Sequence, residues 1–116
     1  MKFEVDFYTL PNGNKPAKEF MLSQNEKMKA KLFSLVDILE ENGVQLREPY
    51  SSPLGDGIFE LRAKVGSDIS RVLYFFYYEG RIILTNGFVK KTQKTPKSEI
   101  QLAKKYRADF LERNGK

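Results

Sequence analysis

The sequence predicts one α+β domain, built on a small, mostly antiparallel sheet of about four strands. Three observations support this class. One N-terminal segment and three segments in the second half alternate apolar and polar residues as strands do, whereas two segments in the first half and one at the C-terminal end carry helical apolar spacing. The 116 residues contain no repeat or linker-like stretch, so we expect a single domain spanning 1–116 with one core.

The first half of the chain predicts one strand, two helices and a long loop. Phe3, Val5 and Phe7 alternate with polar residues, as in a half-buried strand. Pro16 suits the first turn of a helix, where its missing N–H has no partner in any case. A second apolar stripe ends at Asn42-Gly43, since glycine permits a left-handed helix stop. The predicted bounds are 2–10 for the strand, 16–25 and 26–42 for the helices, and 49–57 for the loop.

The second half predicts a three-stranded meander followed by a helix. The strands are expected at 58–65, 70–78 and 81–89, the last two joined by a two-residue turn at Glu79-Gly80. Thr95 as N-cap and Pro96 at the first helical position predict the start of the last helix. The two N-terminal helices should pack on one face of the sheet, with the third helix C-terminal to the meander.

The strand register decides which charged side chains share a face. The two-residue turn predicts Tyr78 opposite Arg81 and Arg71 opposite Phe88, and a four-residue turn at 66–69 predicts Lys64 opposite Arg71. A one-residue error at that second turn would move the side chains of the preceding strand to the opposite face of the sheet. One face is then expected to carry Glu60, Arg62, Lys64, Arg71, Asn86 and Phe88. The other, which should seat the helices, carries Phe59, Leu61, Ala63, Val72, Tyr74, Phe76, Ile83 and Thr85.

Charge and composition narrow the chemistry. The net charge is +5, and residues 60–116 hold thirteen Lys and Arg against six Asp and Glu. A basic face favours phosphate-rich partners, with a merely soluble basic surface as the alternative. The absence of His and Cys excludes the commonest general base, thiol nucleophiles and thiolate metal sites, so we expect no metal or cofactor. No long apolar segment or signal peptide is apparent, which predicts a cytoplasmic protein without a membrane partner.

The basic face suggests cleavage of RNA through attack of a ribose 2′-hydroxyl on its adjacent phosphate. Glu60, or a lysine whose pKa is lowered by positive neighbours, can act as the base. Arg62 and Arg71 would stabilise the developing charge, and Lys91 or Lys94 would protonate the leaving oxygen. Further RNA contacts are expected from Lys64, Phe88, Lys90 and Lys97, with Phe88, Tyr77 or Tyr106 stacking a base.

Simpler interpretations of the same residues stay open. Glu60 with Arg62 and Lys64 can be a solvated cross-strand salt-bridge set. The basic run after Val89 can be a solvated loop or a contact for a protein partner.

Several segments resemble a known family. They are Glu60-Leu61-Arg62, Gly66-Ser67-Asp68, the run 71–75, and the run 87–96 followed by Glu99-Ile100 and Ala103, which together are similar to the phage-derived HigB-like branch of the RelE/ParE toxin superfamily. The resemblance covers nearly the whole chain, and the run 88–99 is its most specific part. It implies a RelE-like fold and a type II toxin that cuts mRNA in the ribosomal A site. The basic residues that it assigns to the scissile phosphate are Arg62, Arg71, Lys90, Lys91 and Lys94.

The resemblance also implies partners: a cognate antitoxin of the helix-turn-helix type, mRNA and the ribosome, with operator DNA reached only through the antitoxin. Relatives often contribute a Tyr or His near the C-terminus, whereas this chain has only Tyr106 in its last helix. The identity of the base is therefore open. ParE-like members inhibit DNA gyrase without cutting RNA, which gives the alternative function. A degenerate toxin kept as a regulatory partner is the third.

Overall fold

The computed structural model describes residues 2–90 and 94–115, which form a five-stranded mixed sheet and three helices. The sheet order is β1-β5-β4-β3-β2, with β1 parallel to β5 and every other neighbouring pair antiparallel. The elements are β1 Glu4–Phe7, α1 Pro16–Ser23, α2 Glu26–Asn42, a 3₁₀ turn Gly43–Gln45, β2 Ser51–Gly55, β3 Ile58–Val65, β4 Asp68–Tyr77, β5 Arg81–Val89 and α3 Lys97–Asn114. The α+β class is confirmed, with one strand more than predicted. No helix in the described part of the chain is both long and apolar enough to cross a membrane.

The additional strand is β2, which lies in the stretch predicted as a loop. It pairs with β3 at the edge of the sheet, with Ser51 opposite Leu61 and Ser52 opposite Glu60. Its sequence Ser-Ser-Pro-Leu-Gly has little intrinsic strand preference. Pro53 is tolerated because an edge strand leaves every second N–H without a partner strand. The loop prediction was wrong because pairing with β3 outweighs the local preference.

The two N-terminal helices begin and end close to where the sequence predicts. The Asn25 side chain accepts a hydrogen bond from the Met28 N–H at 2.9 Å and thereby caps α2. Gly43 ends α2 with a φ of 53°. A Cβ at Gly43 would lie 2.0 Å from the Phe3 ring, so this close approach of β1 to the helix end requires glycine.

The start of α3 differs from the prediction by one residue. The helix begins at Lys97 with Pro96 in the N-cap position, and no side chain caps it. Thr95 is therefore not the cap that its position suggested. Its hydroxyl instead donates to the carboxylate of Glu60. A hydrogen bond to a charged acceptor is stronger than the neutral bond that a capping hydroxyl accepts from a backbone N–H.

Two irregularities in the β4–β5 hairpin cancel each other. The turn contains three residues, with Tyr77 opposite Arg81, so the predicted pairing of Tyr78 with Arg81 is wrong. Thr85 is an extra residue in β5 that forms a bulge, and its hydroxyl donates to the Leu73 carbonyl at 3.1 Å. Beyond the bulge the predicted register returns, and Arg71 lies opposite Phe88.

The β3–β4 turn is also shorter than predicted. Two residues, Gly66 and Ser67, connect the strands, so Arg62 and not Lys64 lies opposite Arg71. The register differs by two residues from the prediction. Because side chains alternate with a period of two, this difference changes the partners and leaves the faces unchanged.

Helices cover both faces of the sheet, and each face has its own core. Helices α1 and α2 pack on the face bearing Leu61, Ala63, Val72, Tyr74, Ile82 and Leu84. Helix α3 packs on the opposite face, against Ile58, Leu73, Phe75 and Ile83. Ile83 was predicted on the first face, and the three-residue turn explains the error. Helix α3 therefore shares its face with the charged residues of β3 and β4.

Tyr8 anchors the C-terminal end of α3 to the segment after β1. The buried phenol donates to Asp109 Oδ2 at 2.6 Å, its ring stacks on Tyr106 at 4.6 Å, and Arg113 lies over the ring. Desolvation by burial and the hydrogen bond to Asp109 raise the pKa of Tyr8 from 10.0 to about 12. The hydroxyl is thus held protonated in the folded state.

We expect Tyr8→Phe to lower the free energy of unfolding at pH 7 by about 1.5 kcal/mol, because it removes a hydrogen bond to a charged acceptor. The folded-state pKa is raised, so the contribution of Tyr8 is fully present below pH 10 and is lost as the pH rises through about 12. Urea unfolding of both proteins at several pH values measures the difference. A constant difference from pH 7 to 12 would contradict the raised pKa.

Candidate functional site

The buried carboxylate of Glu60 forms the centre of the candidate site. Oε1 accepts from the Thr95 hydroxyl at 2.5 Å and from Arg71 Nη1 at 3.2 Å, and Oε2 lies 3.1 Å from the same nitrogen. Glu60 and Arg71 are each 3% exposed. Their charges therefore attract each other with little screening by water.

Two hydroxyl groups complete this network. Thr95 accepts from Arg71 Nη1 at 2.7 Å while it donates to Glu60, so it joins the segment before α3 to both charged groups. Ser52 on β2 donates to Glu60 Oε2 at 3.4 Å. Both carboxylate oxygens thus have donors, which fixes the side chain in place.

Arg62 is the accessible member of the charged set. Its Nε lies 3.9 Å from Glu60 Oε2, its Nη1 lies 3.7 Å from Glu48, and its side chain is 30% exposed. A pocket of about 400 Å³ opens beside it. The pocket is lined by Ser52, Pro53, Leu54, Glu60, Arg62, Arg71, Lys94, Thr95 and Ile100. A ligand entering here meets one exposed and one buried guanidinium group, an arrangement suited to an anion.

Lys90 lies at the end of β5, next to these arginines. Its backbone N–H donates to the Ile69 carbonyl at 2.8 Å, which extends the β4–β5 pairing by one residue. Desolvation, followed by the positive charges of Arg71 and Arg62, lowers the pKa of the Lys90 amine, although the charge of Glu60 opposes the shift. The amine therefore releases its proton more readily than an ordinary lysine does.

The other predicted cations differ in their relation to the pocket. Lys94 is exposed and lines it, Lys64 is exposed on the same face of β3 as Arg62, and Lys97 is exposed at the first position of α3. Lys91, predicted to act in catalysis, lies outside the described residues. Within the described ranges 2–90 and 94–115, no group of three or more acidic, His or Cys side chains is arranged to hold a metal ion.

The aromatic residues predicted to stack a base lie in different surroundings. Phe88 is opposite Arg71 and half-buried against the α3 core. Tyr106 stacks on Tyr8, and the Tyr77 ring packs edge-on against Phe110 while its hydroxyl donates to a carbonyl at the C-terminal end of α3. The structure thus uses Tyr77 and Tyr106 to attach α3, and neither lines the pocket.

Sequence reasoning missed Ser52 and the role of Thr95. Ser52 was not recognised because its segment was predicted as a loop. The contact of Thr95 with Glu60 was not recognised because Thr95 was already assigned as the N-cap of the last helix. Asn86, predicted on this face, is buried and donates to the backbone and side-chain oxygens of Glu99, at 3.3 and 3.0 Å. This pair attaches the first turn of α3 to the sheet beside the pocket.

Fold and site together define a small α+β protein whose arginine- and lysine-lined pocket suits an anionic ligand. The chain matches the family model described as Phage derived protein Gp49-like (DUF891) over residues 19–108, a range that extends from α1 into α3 and includes every predicted site residue. The chain belongs to the Gp49-like family, which is part of the RelE/ParE-like toxin superfamily. None of the curated proteins matches the chain.

Proposed function

We propose that this protein is the toxin of a type II toxin–antitoxin pair and cuts mRNA that the ribosome presents. The observation that carries this proposal is the buried Glu60, which lies 3.1 Å from Arg71 and 3.9 Å from Arg62 at the wall of a pocket that Lys94 also lines. Membership of the Gp49-like family, within a toxin superfamily, supports the toxin role. The resemblance to HigB-like toxins supports cleavage of ribosome-bound mRNA.

The proposed proton transfers and charge stabilisation use side chains of this chain, and the attacking group belongs to the RNA. Lys90, with its lowered pKa, removes the proton from a ribose 2′-hydroxyl, whose oxygen then attacks the adjacent phosphorus. Arg62 and Arg71 neutralise the charge that develops on the phosphate oxygens. The 5′-oxygen leaves with a proton from Lys94 or Lys91. The products are a 2′,3′-cyclic phosphate and a 5′-hydroxyl end.

Glu60 has a positioning role in this proposal and is not the base. A general base must come within hydrogen-bond distance of the proton that it removes. The carboxylate is buried, and its two oxygens are already bonded by Arg71, Thr95 and Ser52. It therefore fixes the Arg71 guanidinium group before RNA enters, which lowers the cost of reorganisation during the reaction.

The proposed partners follow from the same reasoning. The ribosome would supply a strained single strand, and a cognate antitoxin, a helix-turn-helix protein, would neutralise the toxin and carry it to operator DNA. Expression of the chain in a cell-free translation system, followed by mapping of 5′ ends, tests the proposal. Translation arrest with cleavage within codons is expected. Intact mRNA together with inhibited DNA supercoiling would instead select a gyrase inhibitor, and no inhibition would indicate an inactive toxin.

Arg62→Ala is expected to slow mRNA cleavage by about 10²–10³-fold, the usual cost of removing one donor to a developing oxyanion. Stability should change by less than about 1 kcal/mol, because the side chain is partly exposed and its ion pairs are long. Single-turnover cleavage on programmed ribosomes and urea unfolding measure the two effects. Lys18→Ala, which removes an equal charge from the exposed face of α1, is the matched control. Equal activity of both variants would contradict the role of Arg62.

A further inference from the structure

The Thr95 hydroxyl bridges the two buried charges of the site. It accepts a hydrogen bond from Arg71 Nη1 at 2.7 Å and donates one to Glu60 Oε1 at 2.5 Å. A guanidinium group can only donate and an ionised carboxylate can only accept. This bridge therefore needs a group that accepts and donates through the same atom, which a hydroxyl does and the methyl group of a valine of equal shape does not.

The bridge attaches a loop position to the sheet. Glu60 lies on β3 and Arg71 on β4, and each is 3% exposed, whereas Thr95 belongs to the segment that leads from β5 into α3. Side chains on packed strands hold a geometry more precisely than side chains on loops do. The hydroxyl therefore fixes this loop position relative to the buried ion pair.

Lys94 is the residue next to this attachment point. Consecutive Cα atoms are about 3.8 Å apart, so a fixed Thr95 also fixes the point from which the Lys94 side chain extends. Lys94 and Thr95 both line the pocket, as do Arg62 and Arg71. A lysine side chain is long and samples many rotamers, so the position of its backbone decides which places its ammonium group can reach.

We propose that Thr95 is a positioning residue, which holds Lys94 where its ammonium group gives a proton to the 5′-oxygen of the RNA. The proton moves as the bond between phosphorus and this oxygen breaks, which leaves a 5′-hydroxyl and a neutral lysine amine. The inference rests on the proposed function and selects Lys94 as the acid within it. A purely structural role of Thr95 is the alternative.

An mRNA whose leaving group needs no proton tests the inference. When sulfur replaces the 5′-oxygen at the cleavage position, a thiolate leaves, and a thiol has a pKa of about 8.5, far below that of a hydroxyl group. Thr95→Val should slow single-turnover cleavage of ordinary mRNA on programmed ribosomes by about 10²-fold, the cost of misplacing a reacting group by about 1 Å. It should slow cleavage of the sulfur-containing mRNA by less than about threefold, because that reaction does not depend on the acid.

Three further variants complete the experiment. Thr95→Ser keeps the hydroxyl and should cleave both mRNAs at the wild-type rate. Thr85→Val is the matched control, because the buried Thr85 loses only its bond to the Leu73 carbonyl, and both rates should be kept. Lys94→Ala leaves the bridge in place and should slow only the cleavage of ordinary mRNA, which keeps the inference testable if urea unfolding shows Thr95→Val to be unfolded.

The outcomes separate this inference from the proposed function. A wild-type protein that leaves mRNA intact overturns the proposed function itself. If the wild type cleaves, equal slowing of both mRNAs by Thr95→Val overturns the inference alone, since the threonine then acts through Arg71 or through stability. The inference is also wrong if Lys94→Ala cleaves ordinary mRNA at the wild-type rate, or if Thr95→Ser is as slow as Thr95→Val.

Discussion

Lys90→Arg is expected to slow mRNA cleavage by about 10²–10⁴-fold, the range that general-base catalysis contributes. Arginine keeps the positive charge beside Arg62 and Arg71 but does not lose a proton at accessible pH. The wild-type rate should rise with pH until the pH passes the lowered pKa of Lys90. The variant should lack this rise. Single-turnover cleavage across a pH series measures both effects.

The lowered pKa of Lys90 also makes the free energy of unfolding depend on pH. Lys90 loses its proton at a lower pH in the folded protein than in the unfolded chain, so the unfolded state binds more protons between the two pKa values. The free energy of unfolding contributed by Lys90 therefore rises with pH through that interval. Lys64→Arg, an exposed position on the same face, is the control and should keep the wild-type pH profile of the rate. If the rate of Lys90→Arg rises with pH as the wild type does, another group is the base.

Arg71→Met is expected to lower the free energy of unfolding by about 3–5 kcal/mol, because it leaves the Glu60 carboxylate buried without its main cation. Arg62 cannot replace the lost partner, since it lies 3.9 Å away and is partly exposed. A domain of this size is stable by only about 5–15 kcal/mol, so the variant should be close to unfolding. Urea unfolding monitored by circular dichroism measures the loss, and cleavage should be absent.

A double-mutant cycle distinguishes loss of the ion pair from loss of packing. Glu60→Gln/Arg71→Met removes both charges, so its stability should exceed that of Arg71→Met although it carries one substitution more. Additive losses would mean that Glu60 and Arg71 contribute independently to stability. In that case the site would not depend on a fixed carboxylate.

The helices and the pocket face could be predicted because their signals are local. The apolar stripe of α2 and its cap Asn25 lie within one stretch of sequence. The shared face of Glu60, Arg62 and Arg71 needed only the correct parity of the β3–β4 register, and the two-residue error in turn length preserved it. The face on which a strand side chain lies is unchanged by a register error of two residues, because side chains alternate with a period of two.

The features that were missed depend on tertiary contacts. The strand formed by β2 exists because β3 offers an edge to its Ser- and Pro-containing segment. Thr95 bonds to Glu60, 35 positions earlier in the chain, a contact that no local pattern records. Phe88 and Tyr106 were both aromatic candidates for stacking, and only the packing of α3 shows that Tyr106 is occupied by Tyr8.

The bulge at Thr85 constrains how the length of this hairpin can change over evolution. The three-residue turn and the extra residue in β5 each displace the register by one, and together they restore the pairing of Leu73 with Asn86. Loss of either irregularity alone would turn Asn86 away from Glu99 or exchange Ile82 with Ile83 between the two cores. A deletion in the turn and a deletion at the bulge should therefore be tolerated only as a pair. The lengths of the two sites are thus expected to change together.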